Sequence, residues 1–205
     1  MSRLSVWLDQ FRSMGTYIAV AFVLFVAGIV AGTSTPGLND YMNSQLEGIR
    51  SLAEAIDKSS NPTLLMIIVI FFNNAIKGAM VIYLGFFFGL FPIYFIVING
   101  LVLGYFVHKY ALVNGGEAAF DLVVRGLLPH GIIEIPVLII AAAYGMKAGS
   151  FAFRLLGQIF VRDAKLSHEA GAYVKATVPI VIGVAVLLFA ASLIESLVTP
   201  ILLGK

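Results

Sequence analysis

His130 and Glu134 stand four residues apart in LLPHGIIEIPVLII, residues 127–140, a stretch that is otherwise apolar apart from its two prolines. On a helix that spacing puts both side chains on one face. An imidazole and a carboxylate presented together can ligate a cation, pass a proton, or hydrogen-bond a neighbouring helix. A zinc-like ion would need one or two further ligands, for which Glu195 and Asn74 are candidates.

The other polar residues set in apolar surroundings are Asn73, Asn74, Lys77, Asn99, Glu195 and Thr199. Asn73 and Lys77 are one helical turn apart, as are Glu195 and Thr199, so each helix can gather its polar groups on one face. An ionised side chain at the bilayer centre costs roughly 2.5 to 3.5 kcal/mol on the insertion scale, so Lys77, Glu134 and Glu195 facing lipid would together oppose insertion by about 8 to 10 kcal/mol. They are therefore expected to face protein, water or one another. Lys77 can neutralise one carboxylate, and the amides of Asn74 and Asn99 can donate to another.

Three chemistries fit this set. The first is an interhelical hydrogen-bond network that fixes packing. The second is a site for a divalent cation such as zinc, with His130, Glu134 and Glu195 as ligands. The third is a transport path or intramembrane enzyme, in which His130 carries or abstracts a proton and Glu134 orients it. An enzyme is disfavoured because no nucleophile is marked out and no HExxH occurs. Five spans without visible duplication disfavour a secondary transporter built on inverted repeats. A transporter or channel for an ion or small solute, using His130, Glu134 and Glu195, is the alternative function.

The elements that must position these residues are set by composition. Of 205 residues, 60% are hydrophobic and 12% charged, against roughly 45 to 50% and 25% in soluble domains. Runs of about 18 apolar residues cross a hydrocarbon core, and five are expected, near 16–34, 63–88, 92–110, 130–147 and 177–199. The fold class is thus an all-α polytopic bundle, residues 1–205 forming a single integral membrane domain with the lipid bilayer as its first partner. There is no cysteine, which removes disulfides and thiolate chemistry. The net charge of +2 is spread over many loops, and no basic block points to nucleic acid.

Between the spans, helical spacing predicts amphipathic interfacial helices. Leu4, Trp7, Leu8, Phe11 and Met14 form one apolar stripe near the N-terminus; Met42, Leu46, Ile49, Ala53 and Ile56 form another. Glu117, Asp121 and Arg125 step by four before the span that starts at His130, and Arg154, Gln158, Arg162 and Lys165 give a basic helix suited to an anionic leaflet. Pro92 predicts a turn over Gly89 to Pro92, and Pro136 a kink. Arg3, Arg12 and the Lys/Arg-rich 147–175 segment put the N-terminus in the cytoplasm of a protein of the cell membrane. Glycines at i, i+4 (Gly28 and Gly32, Gly85 and Gly89, Gly100 and Gly104, Gly145 and Gly149) allow close helix approach, either within the chain or in a homodimer, which is the expected assembly.

The blocks IFFNNAIKGAMVIYLGFFFGLFPIYFIVINGLVLG, LLPHGIIEIPVLIIAAAYGMKAG and AASLIESLVTP, in that order, resemble the stage II sporulation protein M family, and the resemblance covers about residues 14 to 203. It implies a multi-pass membrane protein without catalytic activity of its own. The family's namesake looks like a scaffold that recruits two cell-wall hydrolases, an amidase and a lytic transglycosylase, so the partners implied are such hydrolases or other membrane proteins. Asn73, Asn74, Asn99, His130, Glu134, Glu195 and Thr199 are the motif residues that carry over, and the resemblance implies a functional pocket at them without naming what they bind.

Overall fold

The structure, a computed structural model, describes residues 12–34, 39–157 and 164–204. Its helices are α1 (Gly15–Ser34), α2 (Asn39–Asp57), α3 (Pro62–Leu84), α4 (Leu90–Asn114), α5 (Gly116–Asp121), α6 (Leu128–Gly157), α7 (Ala164–Leu193) and α8 (Thr199–Leu202). A π-helical stretch, Leu122–Leu127, joins α5 to α6, and a second, Ile194–Val198, joins α7 to α8. Five helical runs are long and apolar enough to cross a membrane: Gly15–Ser34, Pro62–Leu84, Leu90–Asn114, Gly116–Gly157 and His168–Leu202. No strand occurs among the described residues.

Local sequence explains the boundaries. Asn61 caps α3 by accepting from the backbone N–H of Leu64 at 3.1 Å, and Pro62 takes the first helical position, where its missing donor costs nothing. The predicted break between the second and third spans is a tight turn ending at Gly89, whose φ of +72° suits glycine. Pro92 then sits in the first turn of α4. The helix expected in the 35–62 segment is α2, with Ile56 buried and Leu46 packed against Leu101 and Tyr105.

Two expected interfacial helices are instead parts of the spans. Glu117 to Arg125 lies in α5 and the first π stretch, which run without a break into α6, so the fourth span is longer than its apolar core and does not start afresh at His130. The predicted stepping survives there as an Asp121–Arg125 ion pair at 2.9 Å. Residues 151–157 of the expected basic helix continue α6, Lys165 lies at the start of α7, and residues 158–163 are outside those described, as are residues 1–11 of the expected N-terminal helix.

Helix α6 is the hub. It packs against α1, α3, α4 and α7, and Ala141, Ala142, Ala143 and Tyr144 at its centre are fully buried. All four glycine pairs are spent inside the chain. Cβ atoms at Gly28 and Gly32 would strike the backbone carbonyls of Val97 and Leu101, and at Gly100 and Gly104 those of Phe25 and Ile29. Gly85 and Gly89 likewise face Gly145 and Gly149. Helices α1 and α4, and the α3–α4 turn with α6, thus approach backbone to backbone.

Candidate functional site

Both π stretches have the same sequence context. Each ends two residues before a proline: Leu127 before Pro129, and Val198 before Pro200. A proline ring clashes with the carbonyl four residues back and has no N–H to give it. The chain answers with i→i−5 bonds, the Leu128 N–H reaching the Val123 carbonyl and the Thr199 N–H the Ile194 carbonyl. Such widened turns recur at functional sites because they re-aim neighbouring side chains.

The candidate site is built on these two turns. His130 is the third residue of α6, just beyond the first, Glu134 lies one turn further along α6, and Glu195 is the second residue of the other π stretch. One ligand atom from each of His130, Glu134 and Glu195 can be chosen so that all three lie within 4.8 Å of one another. All three residues are partly buried, and the buried Nδ1 of His130 has no hydrogen-bond partner. Two carboxylates and an imidazole, which when neutral offers one acceptor nitrogen, are a ligand set suited to a divalent cation.

A third helix supports one ligand. The Asn74 side-chain amide donates to Glu134 Oε1 at 2.9 Å, and the Asn73 amide donates to Asn74 Oδ1 at 3.3 Å. Lys77, one turn beyond Asn73, lies close enough for its charge to act on Glu134, without closing an ion pair shorter than 4.0 Å. This arrangement fixes one Glu134 oxygen and orients the other, as outer-shell amides do at metal sites.

Two of the sequence candidates stand apart from this bonding. The Asn99 amide donates to the Phe95 carbonyl of its own helix at 2.8 Å, so it serves α4 and gives no hydrogen bond to a carboxylate. Thr199 turns its hydroxyl back to the Ile194 carbonyl at 3.4 Å, closing the widened turn below Glu195. Sequence reasoning missed Ser196, whose buried hydroxyl oxygen has no partner and which neighbours Glu195.

It also missed a second polar centre. Tyr144 and Tyr173 stack with ring centroids 4.3 Å apart. The Tyr144 hydroxyl donates to the Tyr173 carbonyl at 2.8 Å, and the Tyr173 hydroxyl donates to the Tyr144 carbonyl at 3.0 Å. One turn along α6, Lys147 donates to Ser13 Oγ at 2.7 Å, and Arg154 pairs with Glu169 at 3.4 Å. The signal was present: YGMKAGSFAFR holds a Tyr, a Lys and an Arg at helical spacing.

A family model described as stage II sporulation protein M matches residues 21–200, which takes in every member of the site. The chain belongs to the stage II sporulation protein M family. It is also similar to an uncharacterized protein of Methanocaldococcus jannaschii, 31% identical over 111 residues, or 54% of this chain and 47% of that one. The chain thus spans about half the length of the curated relative it matches. No solved structure matches. Stage II sporulation protein M membership and five apolar helices make this a multi-pass membrane protein.

Proposed function

We propose that the chain is a scaffold of the cell membrane, its N-terminus in the cytoplasm, whose helices are locked by a divalent cation held by His130, Glu134 and Glu195. The observation that carries this reading is the convergence of those three ligand atoms to within 4.8 Å beside an unpartnered imidazole nitrogen. Imidazole with carboxylates suits zinc among the divalent ions. The ion would tie α6 to the end of α7, and Asn74 would extend the tie to α3 through Glu134. A bundle fixed in this way presents rigid outer helix faces on which membrane partners, including cell-wall hydrolases, can assemble. Cell-wall chemistry would then belong to those partners.

Elemental mass spectrometry of the purified protein is the test. One equivalent of a divalent metal is expected, reduced below a tenth of an equivalent in His130→Ala. Metal-free protein that is monodisperse and folded, and that fails to take up added zinc, would overturn the cation reading.

A further inference from the structure

Lys77 is the one cation inside the second span, and its residue is exposed. Asn73, Phe72, Ile76 and Met80 are exposed beside it on the same helix. At 1.5 Å per residue, Lys77 lies about 22 Å along α3 from Pro62 and about 10 Å from Leu84, well inside the apolar run. Such a face turned to hydrocarbon is costly, so something polar covers it in the membrane.

The chain itself does not complete it. Glu134 is near enough to act on Lys77 by charge, yet it is bonded to Asn74 and shares its site with His130 and Glu195. A second copy does not complete it either. In a dimer whose two-fold axis stands normal to the membrane, each residue keeps its depth. The carboxylates at that level are again Glu134 and Glu195, turned to their own His130, and a symmetric contact at α3 would set ammonium against ammonium. The end of α3 lies about 10 Å along the helix axis from the Lys77 backbone, so a lipid phosphate there is beyond the reach of the side chain alone. A carboxylate on a neighbouring transmembrane helix meets the requirement of depth and of charge.

We propose that the face of α3 carrying Phe72, Asn73, Ile76, Lys77 and Met80 receives a transmembrane helix of a different protein with an aspartate or glutamate at the depth of Lys77. The amide of Asn73 offers a second donor to that carboxylate. The inference names a partner class for the scaffold reading and does not require the cation.

Because the chain lacks cysteine, a Ser60→Cys variant accepts a single fluorescent donor beside the start of α3. The full chain in vesicles of phosphatidylcholine with a minor share of phosphatidylglycerol is mixed with an acceptor-labelled polyleucine transmembrane peptide carrying one central Asp, or Leu in its place, and energy transfer and the lipid retained by the chain are measured. The Asp peptide is expected to associate about tenfold more tightly than the Leu peptide. The preference should persist in Lys77→Arg and vanish in Lys77→Met, and a peptide with central Lys should bind Lys77→Glu. Equal association of the Asp and Leu peptides with wild type overturns the proposal. So does Lys77-dependent self-association of the chain, which would make the occupant a second copy, or Lys77-dependent retention of phosphatidylglycerol without a peptide preference, which would make it a headgroup. Metal content measured on the same samples separates failure of this inference from failure of the cation reading.

Discussion

Glu134 on α6 and Asn74 on α3, sixty residues apart in the chain, are joined by a hydrogen bond of 2.9 Å inside the membrane-spanning bundle. Both residues are partly buried, so removing one partner leaves the other without this bond, at about 1 to 3 kcal/mol. Glu134→Ala should therefore lower the melting temperature in detergent more than Ile132→Ala, a change at an outward-facing position of the same helix. Equal melting temperatures would show that the amide–carboxylate contact carries no stability.

The Tyr144–Tyr173 pair gives a second, independent measure of interhelical bonding, because each hydroxyl donates to the other residue's carbonyl. Tyr144→Phe and Tyr173→Phe should each cost about 1 kcal/mol while leaving the stacked rings in place. The double variant should cost less than the sum, since the two bonds depend on one α6–α7 register. Strict additivity would mean that the bonds form independently.

The glycine contacts separate close packing from helix propensity. Leu at Gly100 must push its Cβ into the Phe25 carbonyl, so Gly100→Leu should part α1 from α4 and abolish a cooperative melt. Gly48 in α2 has nothing within 4 Å of its missing Cβ. Gly48→Ala should accordingly stabilise the protein by about 0.5 to 1 kcal/mol, because alanine loses less entropy in a helix. If both variants melt like wild type, the backbone approach of α1 and α4 is not what holds them.

Span number and the turn before Pro92 were legible because each rests on a local cost: an apolar run, a missing donor. His130 with Glu134 could be paired from their spacing alone. Glu195 could be named beside them as a candidate ligand from its place in an apolar run, but that Asn99 stays apart was not legible, because spacing fixes a residue's face on its own helix and says nothing of which faces meet. The fusion of Glu117–Arg125 with the fourth span was hidden for a related reason. A charged amphipathic segment reads alike whether it lies on a surface or prolongs a span beyond the hydrocarbon, and continuity with α6 is decided by packing. Pro129 and Pro200 sit within the sequence blocks, and their consequence is the widened turn that precedes each.

Those prolines supply the last prediction. Pro136 and Pro179 lie within α-helical runs without a widened turn, so a proline alone does not enforce one. At Pro129 and Pro200 the carbonyls four residues back belong to Arg125 and Ser196, both inside π stretches. Pro129→Ala and Pro200→Ala restore an N–H that can bond those carbonyls, and so favour return of each turn to α geometry. Glu195 is the second residue of its turn and His130 lies three residues beyond the end of the other, so both would be re-aimed although no ligand is changed. Each variant should bind zinc roughly tenfold more weakly than wild type, the lower end of what loss of outer-shell support costs, and the double variant more weakly still. Titration with zinc in detergent reads this, with circular dichroism to show that helix content is kept or raised. Unchanged affinity in both single variants would mean that the widened turns do not set the geometry of the triad.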